Sequence, residues 1–207
     1  MQFKIQLTAG DLRDLATAAV FTSGDKSREI LTGVHLEFTG DTITATATDS
    51  YRLVVITRTL VEAVTNDGAV LVPGDLLERV AKDAKKMRPA ALITLECDEF
   101  GIITITGGDP GAEWRYGARF VEGKYPDVKS LIPSANGVMA NDGAMLAFNA
   151  FFLADFPKLA PWSNLTRADK AGGARAIRVT AITDHLRPIR LESGDGRTVI
   201  VIMPVRL

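Results

Sequence analysis

Few side chains in this sequence are equipped for covalent or acid–base chemistry. It holds two histidines and one cysteine. His35 falls in Val34-His35-Leu36-Glu37-Phe38, where alternation puts it on the polar face of a strand as an exposed histidine. His185 sits beside Asp184 in a loop, a pairing that is usually only polar surface. Cys97 has no activating partner close in sequence and reads as a half-buried strand residue. A lone cysteine also excludes an internal disulfide and any CxxC zinc or redox site. The patterns HExxH, GxSxG and GxxxxGK(S/T) do not occur. Gly107–Gly111 separates two strands instead of opening a helix, so it is a turn and not a phosphate cradle. These residues predict no catalysis, no metal site and no cofactor.

Binding chemistry is better represented, first as clustered cations. Arg79, Lys82, Lys85 and Lys86 lie off the apolar stripe Leu76, Leu77, Val80, Ala84 and Met87 of one predicted helix, with Glu78 diluting their charge. Lys26 and Arg28 fall in the loop after an earlier helix, and Lys158, Arg167 and Lys170 lie on a later helix and beyond it. A lysine-rich helix face is most often a solvated face. The alternative is a set of phosphate contacts, which ignore base sequence and weaken with salt. Net charge is only −1, but residues 1–136 carry 15 basic and 19 acidic groups and residues 137–207 carry 9 and 6, balances of −4 and +3. Such asymmetry points weakly to an anionic partner.

The elements that position these groups read as one unit written three times, a strand, a helix and three strands. In the first copy Phe3, Ile5 and Leu7 alternate in the strand Gln2–Leu7, Thr8 caps a helix carrying Leu12, Leu15, Ala16 and Ala19, and the runs Ile30–Phe38, Thr42–Thr48 and Arg52–Thr59 follow. In the second, Ala69–Val72 leads through Pro73-Gly74-Asp75 into a helix and the strands Ala91–Glu96, Gly101–Thr106 and Glu113–Phe120. In the third, Ala144–Phe148 leads to a helix carrying Phe152, Phe156 and Leu159, then to Ile177–Thr183, Pro188–Glu192 and Thr198–Met203. Such a unit covers one sheet face with one helix and leaves open edges, which neighbouring copies complete. The predicted class is α+β. At 207 residues, 46% hydrophobic, 24% charged and mean hydropathy +0.11, the chain has the profile of a globular protein. It shows no stretch long enough for a membrane helix and no signal-peptide pattern, and is expected to be cytoplasmic.

Three segments carry a family likeness. Ala47-Thr48-Asp49-Ser50-Tyr51-Arg52-Leu53 joins two strands; Phe120-Val121-Glu122-Gly123-Lys124-Tyr125-Pro126-Asp127 with Leu131-Ile132-Pro133 closes the second unit; and Val201-Ile202-Met203-Pro204-Val205-Arg206-Leu207 stands at the C-terminus. Together and in this order they resemble the bacterial DNA polymerase III β subunit, the β sliding clamp. Residues 1–135 resemble that family's middle domain, a complete clamp-like domain of two units, and residues 136–207 resemble half of its third. Pro157–Gly173 departs from the pattern, since Pro157 falls where a helix is expected. The resemblance implies the sliding-clamp fold and a processivity factor: a ring around duplex DNA, helices lining its channel, with partner proteins docking short clamp-binding peptides in an apolar groove. Position by position the groove would take Leu31, Thr48, Tyr51, Arg52, Leu53 and Pro133 on one wall, and Pro188, Val201, Ile202, Met203, Pro204, Val205, Arg206 and Leu207 on the other. Leu53, Ile202, Met203 and Val205 would receive apolar anchors, and Arg52 and Arg206 would bind peptide carbonyls or a carboxylate at the rim. Asp49 is expected to support the turn. Without the likeness, these segments are simply a hairpin corner and a buried strand.

The implied partners are duplex DNA, bound without sequence preference, and a DNA polymerase and clamp loader carrying clamp-binding peptides. The implied DNA contacts are the nine cations named above. A family ring holds six domains, so three units per chain require four copies. The expectation is two third units paired about a two-fold axis, and two such dimers closing a tetramer. The alternative is a clamp-like adaptor or competitor that keeps the groove and never encircles DNA.

Overall fold

The computed structural model of the chain describes residues 2–135, 147–160, 162, 177–181 and 187–205. The first unit comprises β1 (Phe3–Thr8), α1 (Ala9–Ala16), β2 (Gly33–Thr39), β3 (Thr42–Thr48) and β4 (Arg52–Thr59). The second comprises β5 (Gly68–Pro73), α2 (Gly74–Ala84), β6 (Leu92–Cys97), β7 (Ile102–Gly107) and β8 (Trp114–Arg119). The third contributes α3 (Ala150–Ala154), β9 (Arg178–Ala181), β10 (Ile189–Glu192) and β11 (Thr198–Ile202). Thr8 caps α1 as expected, its Oγ1 accepting the Asp11 N–H at 3.1 Å.

The units complete each other by exchanging first strands. One sheet runs β1-β6-β7-β8, so the first unit's leading strand borders the second unit's sheet; the other begins β5-β2-β3-β4, the reciprocal arrangement. Even the exits match. After β4, Val61 N–H donates to Gln6 of β1 at 3.0 Å, and after β8, Val121 N–H donates to Leu71 of β5 at 2.9 Å. The two units are therefore equivalent halves of one body. Between the sheets, Leu12 and Leu15 of α1 and Leu76, Leu77 and Val80 of α2 join the sheets' inward residues in one core. Cys97 is buried there rather than half-buried, and burial pushes its thiol up.

The second sheet does not stop at β4. It continues through β11, β10 and β9 to seven strands, all neighbours antiparallel. Leu53 lies opposite Val201 and Arg52 opposite Ile202. Phe156, Leu159, Ile189, Ile200 and Ile202 of the third unit join the same core as the first two.

Two local differences have physical causes. Lys26–Thr32 forms two short 3-10 turns kinked at Arg28, where a loop and a strand start were expected. Asp25 caps the first turn by accepting the Ser27 N–H at 3.0 Å, and strand pairing waits for Gly33, where an added Cβ would lie 2.8 Å from the Leu71 side chain. The third helix is short, and Pro157 sits in a separate 3-10 turn, Phe156–Lys158, because it has no N–H to continue the ladder. Residues 144–146 of the expected strand Ala144–Phe148, and much of the Pro157–Gly173 departure, lie outside the described residues.

Candidate functional site

The β4–β11 junction builds a trough on the outer face of the long sheet. A hairpin corner places its first wall. Asp49 Oδ1 accepts the N–H groups of Tyr51 at 3.0 Å and Arg52 at 3.1 Å, and Thr48 Oγ1 donates to the Arg52 carbonyl at 2.7 Å. Ser50 completes the corner with φ 81°, the one described non-glycine residue at positive φ. Met203 N–H then reaches back to the Tyr51 carbonyl at 3.0 Å, tying the C-terminal segment to the corner.

The trough is shallow, with a volume of about 70 Å³, and is lined by Thr48, Tyr51, Leu53, Pro188, Val201 and Met203, with Arg52 at its wall. Its floor is a small apolar cluster of Leu53, Val201 and Val128, with Val55, Tyr125 and Ile132 packed alongside. Tyr51 and Met203 are 59% and 38% exposed, so the rim offers apolar surface to a ligand. Sequence reasoning missed three lining residues, Ser50, Val128 and Leu131. Val128 and Leu131 belong to the segment running from Tyr125 to Pro133, which folds back across the sheet's outer face. Their i, i+3 spacing astride the short 3-10 helix Lys129–Leu131 was the available signal.

The two-residue period of a strand sorts the other expected residues. Leu53 and Val201 face the trough; their neighbours Arg52 and Ile202 face the opposite way. Ile202 is fully buried in the main core and cannot receive an anchor from outside. Arg52 is 8% exposed, and its guanidinium is not at the rim. It donates to Asp49 at 2.9 Å, to Asp155 at 2.7 Å and to the Val20 carbonyl at 3.2 Å, between the rings of Phe21 and Phe152 at 4.3 and 4.8 Å. Arg52 thus latches the third unit's helix to the first unit. Burial pushes the Asp155 carboxyl up, but hydrogen bonds from Lys158 and Arg52 outweigh it and hold it below the ordinary value.

Leu31, Pro133, Pro204 and Val205 do not line the trough. Leu31 gives its carbonyl to Ser23, Pro133 gives its carbonyl to Arg190 at 3.0 Å, and Val205 N–H donates to Ala147 at 2.8 Å. Arg206 and Leu207 lie outside the described residues, as do Arg167, Lys170, Asp184 and His185. His35 is on the outward face as alternation requires, yet it is not exposed. Tyr125 stacks on it at 4.8 Å and 6°, and burial lowers its pKa, with Lys129 adding to the effect and Glu37 opposing it.

The expected DNA-contacting cations are scattered among acids. Asp75, Arg79, Lys82 and Lys86 share the stripe of α2 and its following turn that faces away from the core. Arg79 approaches Asp75 at 3.6 Å and Lys86 pairs with Asp83 at 2.6 Å, while Lys82 and Lys85 are exposed. Lys26 lies among Glu29, Asp75 and Glu78 near the start of α2. Arg28 bridges Asp25 and the Ser50 hydroxyl at the trough's corner, and Lys158 pairs with Asp155. Among the described residues, no three His, Cys, Asp or Glu side chains are grouped to hold a metal ion.

Comparison with known proteins agrees with this architecture. The family model of the DNA polymerase III beta subunit, central domain, matches residues 7–127, more than half of the chain. The beta sliding clamp of Synechococcus elongatus is 32% identical over 137 residues, 64% of this chain and 34% of that protein. That of Treponema pallidum is 27% identical over 130 residues, 62% of this chain and 33% of that protein. The chain's match thus spans about a third of the length of these curated relatives. The sliding clamp of Bacillus subtilis superposes with a TM-score of 0.74 at 21% identity, over 99% of this chain and 64% of that one. The clamp of Pseudomonas aeruginosa bound to griselimycin gives 0.76 at 17%, over 99% and 66%. At these identities the superpositions establish the fold alone, the α+β sliding-clamp fold. The chain belongs to the DNA polymerase III beta subunit family, which it joins through that subunit's central domain.

Proposed function

We propose that this chain is a DNA sliding clamp, a replication processivity factor that encircles duplex DNA and seats clamp-binding peptides of a polymerase and a clamp loader. The observation that carries the reading is the trough itself. Strands from opposite parts of the chain meet so that Leu53, Val201 and Met203 form an apolar seat beside the exposed Tyr51. An accessible apolar hollow with an adaptable methionine at its rim suits short peptides with apolar anchors. Residues 1–135 act as a complete clamp domain and 136–207 as half of one. Two third units pair about a two-fold axis, and two such dimers close a ring of four copies around DNA in the cytoplasm. The α2 stripe of Arg79, Lys82 and Lys86 faces the duplex. Neighbouring acids keep each phosphate contact weak, as sliding without arrest requires.

The test is retention on DNA of defined topology. A ring remains on a nicked circular duplex through gel filtration and escapes when the circle is linearised. Equal loss from circle and linear DNA, with peptide binding intact, would refute encirclement and leave the adaptor reading.

A further inference from the structure

We propose that the outer edge of β8 is a self-pairing surface, on which β8 of a second copy pairs antiparallel about a two-fold axis with Tyr116 opposite Tyr116. β4 and β8 occupy equivalent positions, each the last strand of its unit and the outer end of its half's sheet, with matching exits at Val61 and Val121. The outer edge of β4 is filled by β11, which is itself the last strand of a unit, running antiparallel. Last strand against last strand is therefore the junction this fold already makes. At β8 the same edge has no strand beside it among the described residues. Its backbone donors and acceptors are a template for a further strand.

The side chains select the occupant. Trp114, Tyr116 and Ala118 are half-buried and pack inward, whereas Arg115, Gly117 and Arg119 are exposed. Two arginines on an edge strand ordinarily discourage pairing. A two-fold axis perpendicular to the sheet keeps each side chain on its own face, so the axis passes through a residue. Only axes through Tyr116 or Gly117 use the whole strand. The axis through Gly117 sets Arg115 against the second copy's Arg119, like charge on like. The axis through Tyr116 sets Arg115 against Gly117, Trp114 against Ala118, and Glu113 against Arg119, twice by symmetry. Opposite charges directly across an antiparallel pair are favourable, and aromatic neighbours add to them. Within one copy Arg119 pairs with Glu122 at 2.8 Å, Arg115 approaches Glu96 at 4.0 Å and Glu113 accepts the Gly111 N–H at 3.1 Å. Arg119 and Glu122 are both about two-thirds exposed, so exchanging that partner for another carboxylate costs little. Where the ring reading holds, this contact is one of the ring's closures. The pairing rests on the edge and its charges alone.

Sedimentation equilibrium of the full 207-residue chain tests it. Glu113→Arg and Arg119→Glu each set like charges across the axis and should weaken self-association through this edge about ten-fold. Together they exchange the charges and should restore it. Both positions are solvent-facing, so folding, read by circular dichroism, should be unchanged. A wild type that stays at the mass of one chain overturns the inference, as do single variants without effect or a double variant that does not recover. The ring reading fails separately. Charge-swap rescue without retention on nicked circles leaves the β8 contact standing, and retention that both single variants leave unchanged removes the contact but not the ring.

Discussion

Replacing Arg52 with alanine should destabilise the protein far more than a groove residue would. The guanidinium is 8% exposed and its partners Asp49 and Asp155 are 15% and 19% exposed. Removing one member of a largely buried ion pair costs about 3–5 kcal/mol, because the orphaned carboxylates stay desolvated. Loss of the contacts with Phe21 and Phe152 adds about 0.5–1 kcal/mol for each ring. Since both carboxylates keep some water, the low end of the pair term applies, for a total of about 4 kcal/mol. With a urea dependence of roughly 2 kcal/mol per molar, the denaturation midpoint should fall by about 2 M. Urea unfolding followed by circular dichroism and tryptophan fluorescence measures this. A double-mutant cycle with Asp155→Ala should give a coupling of about 1–3 kcal/mol. If Arg52→Ala moved the midpoint by less than about 0.3 M while abolishing peptide binding, the latch would be wrong and the guanidinium would be a rim ligand.

The remaining expectations concern the groove, the helix face and pH. Met203→Ala combined with Leu131→Ala should lower clamp-peptide affinity about hundred-fold by fluorescence anisotropy, with stability changed by less than about 1 kcal/mol because both side chains are exposed; unchanged affinity would remove the trough assignment. Leu53→Ala is the poorer probe, since it opens a cavity beside Val128 and Val201 and should cost about 2–5 kcal/mol. Lys82→Glu with Lys86→Glu should reduce the salt slope of DNA binding by about 1.8, and an unaltered slope would mean these lysines meet only water. His35 has a folded-state pKa below its ordinary 6.5, so the folded state resists the proton that the unfolded state accepts. Its contribution to stability is complete above about pH 6.5 and is lost as pH falls through the folded value. Comparing urea midpoints at pH 7.5 and pH 5.5 should show a fall in acid that shrinks in His35→Gln. An identical fall in that variant would assign the effect to other groups.

Local pattern carried much of this fold. Thr42–Thr48 and Arg52–Thr59 are read as strand-like runs with the same bounds that the structure gives. Thr8 is recognisable as a cap from its position before an apolar stripe. What local pattern lacks is pairing between distant segments. Nothing near Leu53 announces Val201 as its neighbour, and that contact followed only from the family likeness of the two segments. The same limit explains Arg52. Its side of the strand is legible from the period of two, but its partner Asp155 lies 103 residues away on another unit. His35 shows the converse error. Alternation assigns it correctly to the outward face, yet exposure depends on whether a later segment covers that face, and Tyr125 does. Val128 and Leu131 were overlooked for this reason, because a wall made by a crossing loop has no period to reveal it.

The central claim is that the hollow between β4 and β11 seats a partner's peptide, and methyl NMR of the methionines tests it most directly. Met203 is 38% exposed at the rim, whereas Met87 is 7% exposed and packed in the core behind α2. Titration with a polymerase clamp-binding peptide should shift the Met203 methyl resonance in a saturable way and leave that of Met87 in place. Saturable binding that leaves Met203 unmoved would contradict the account.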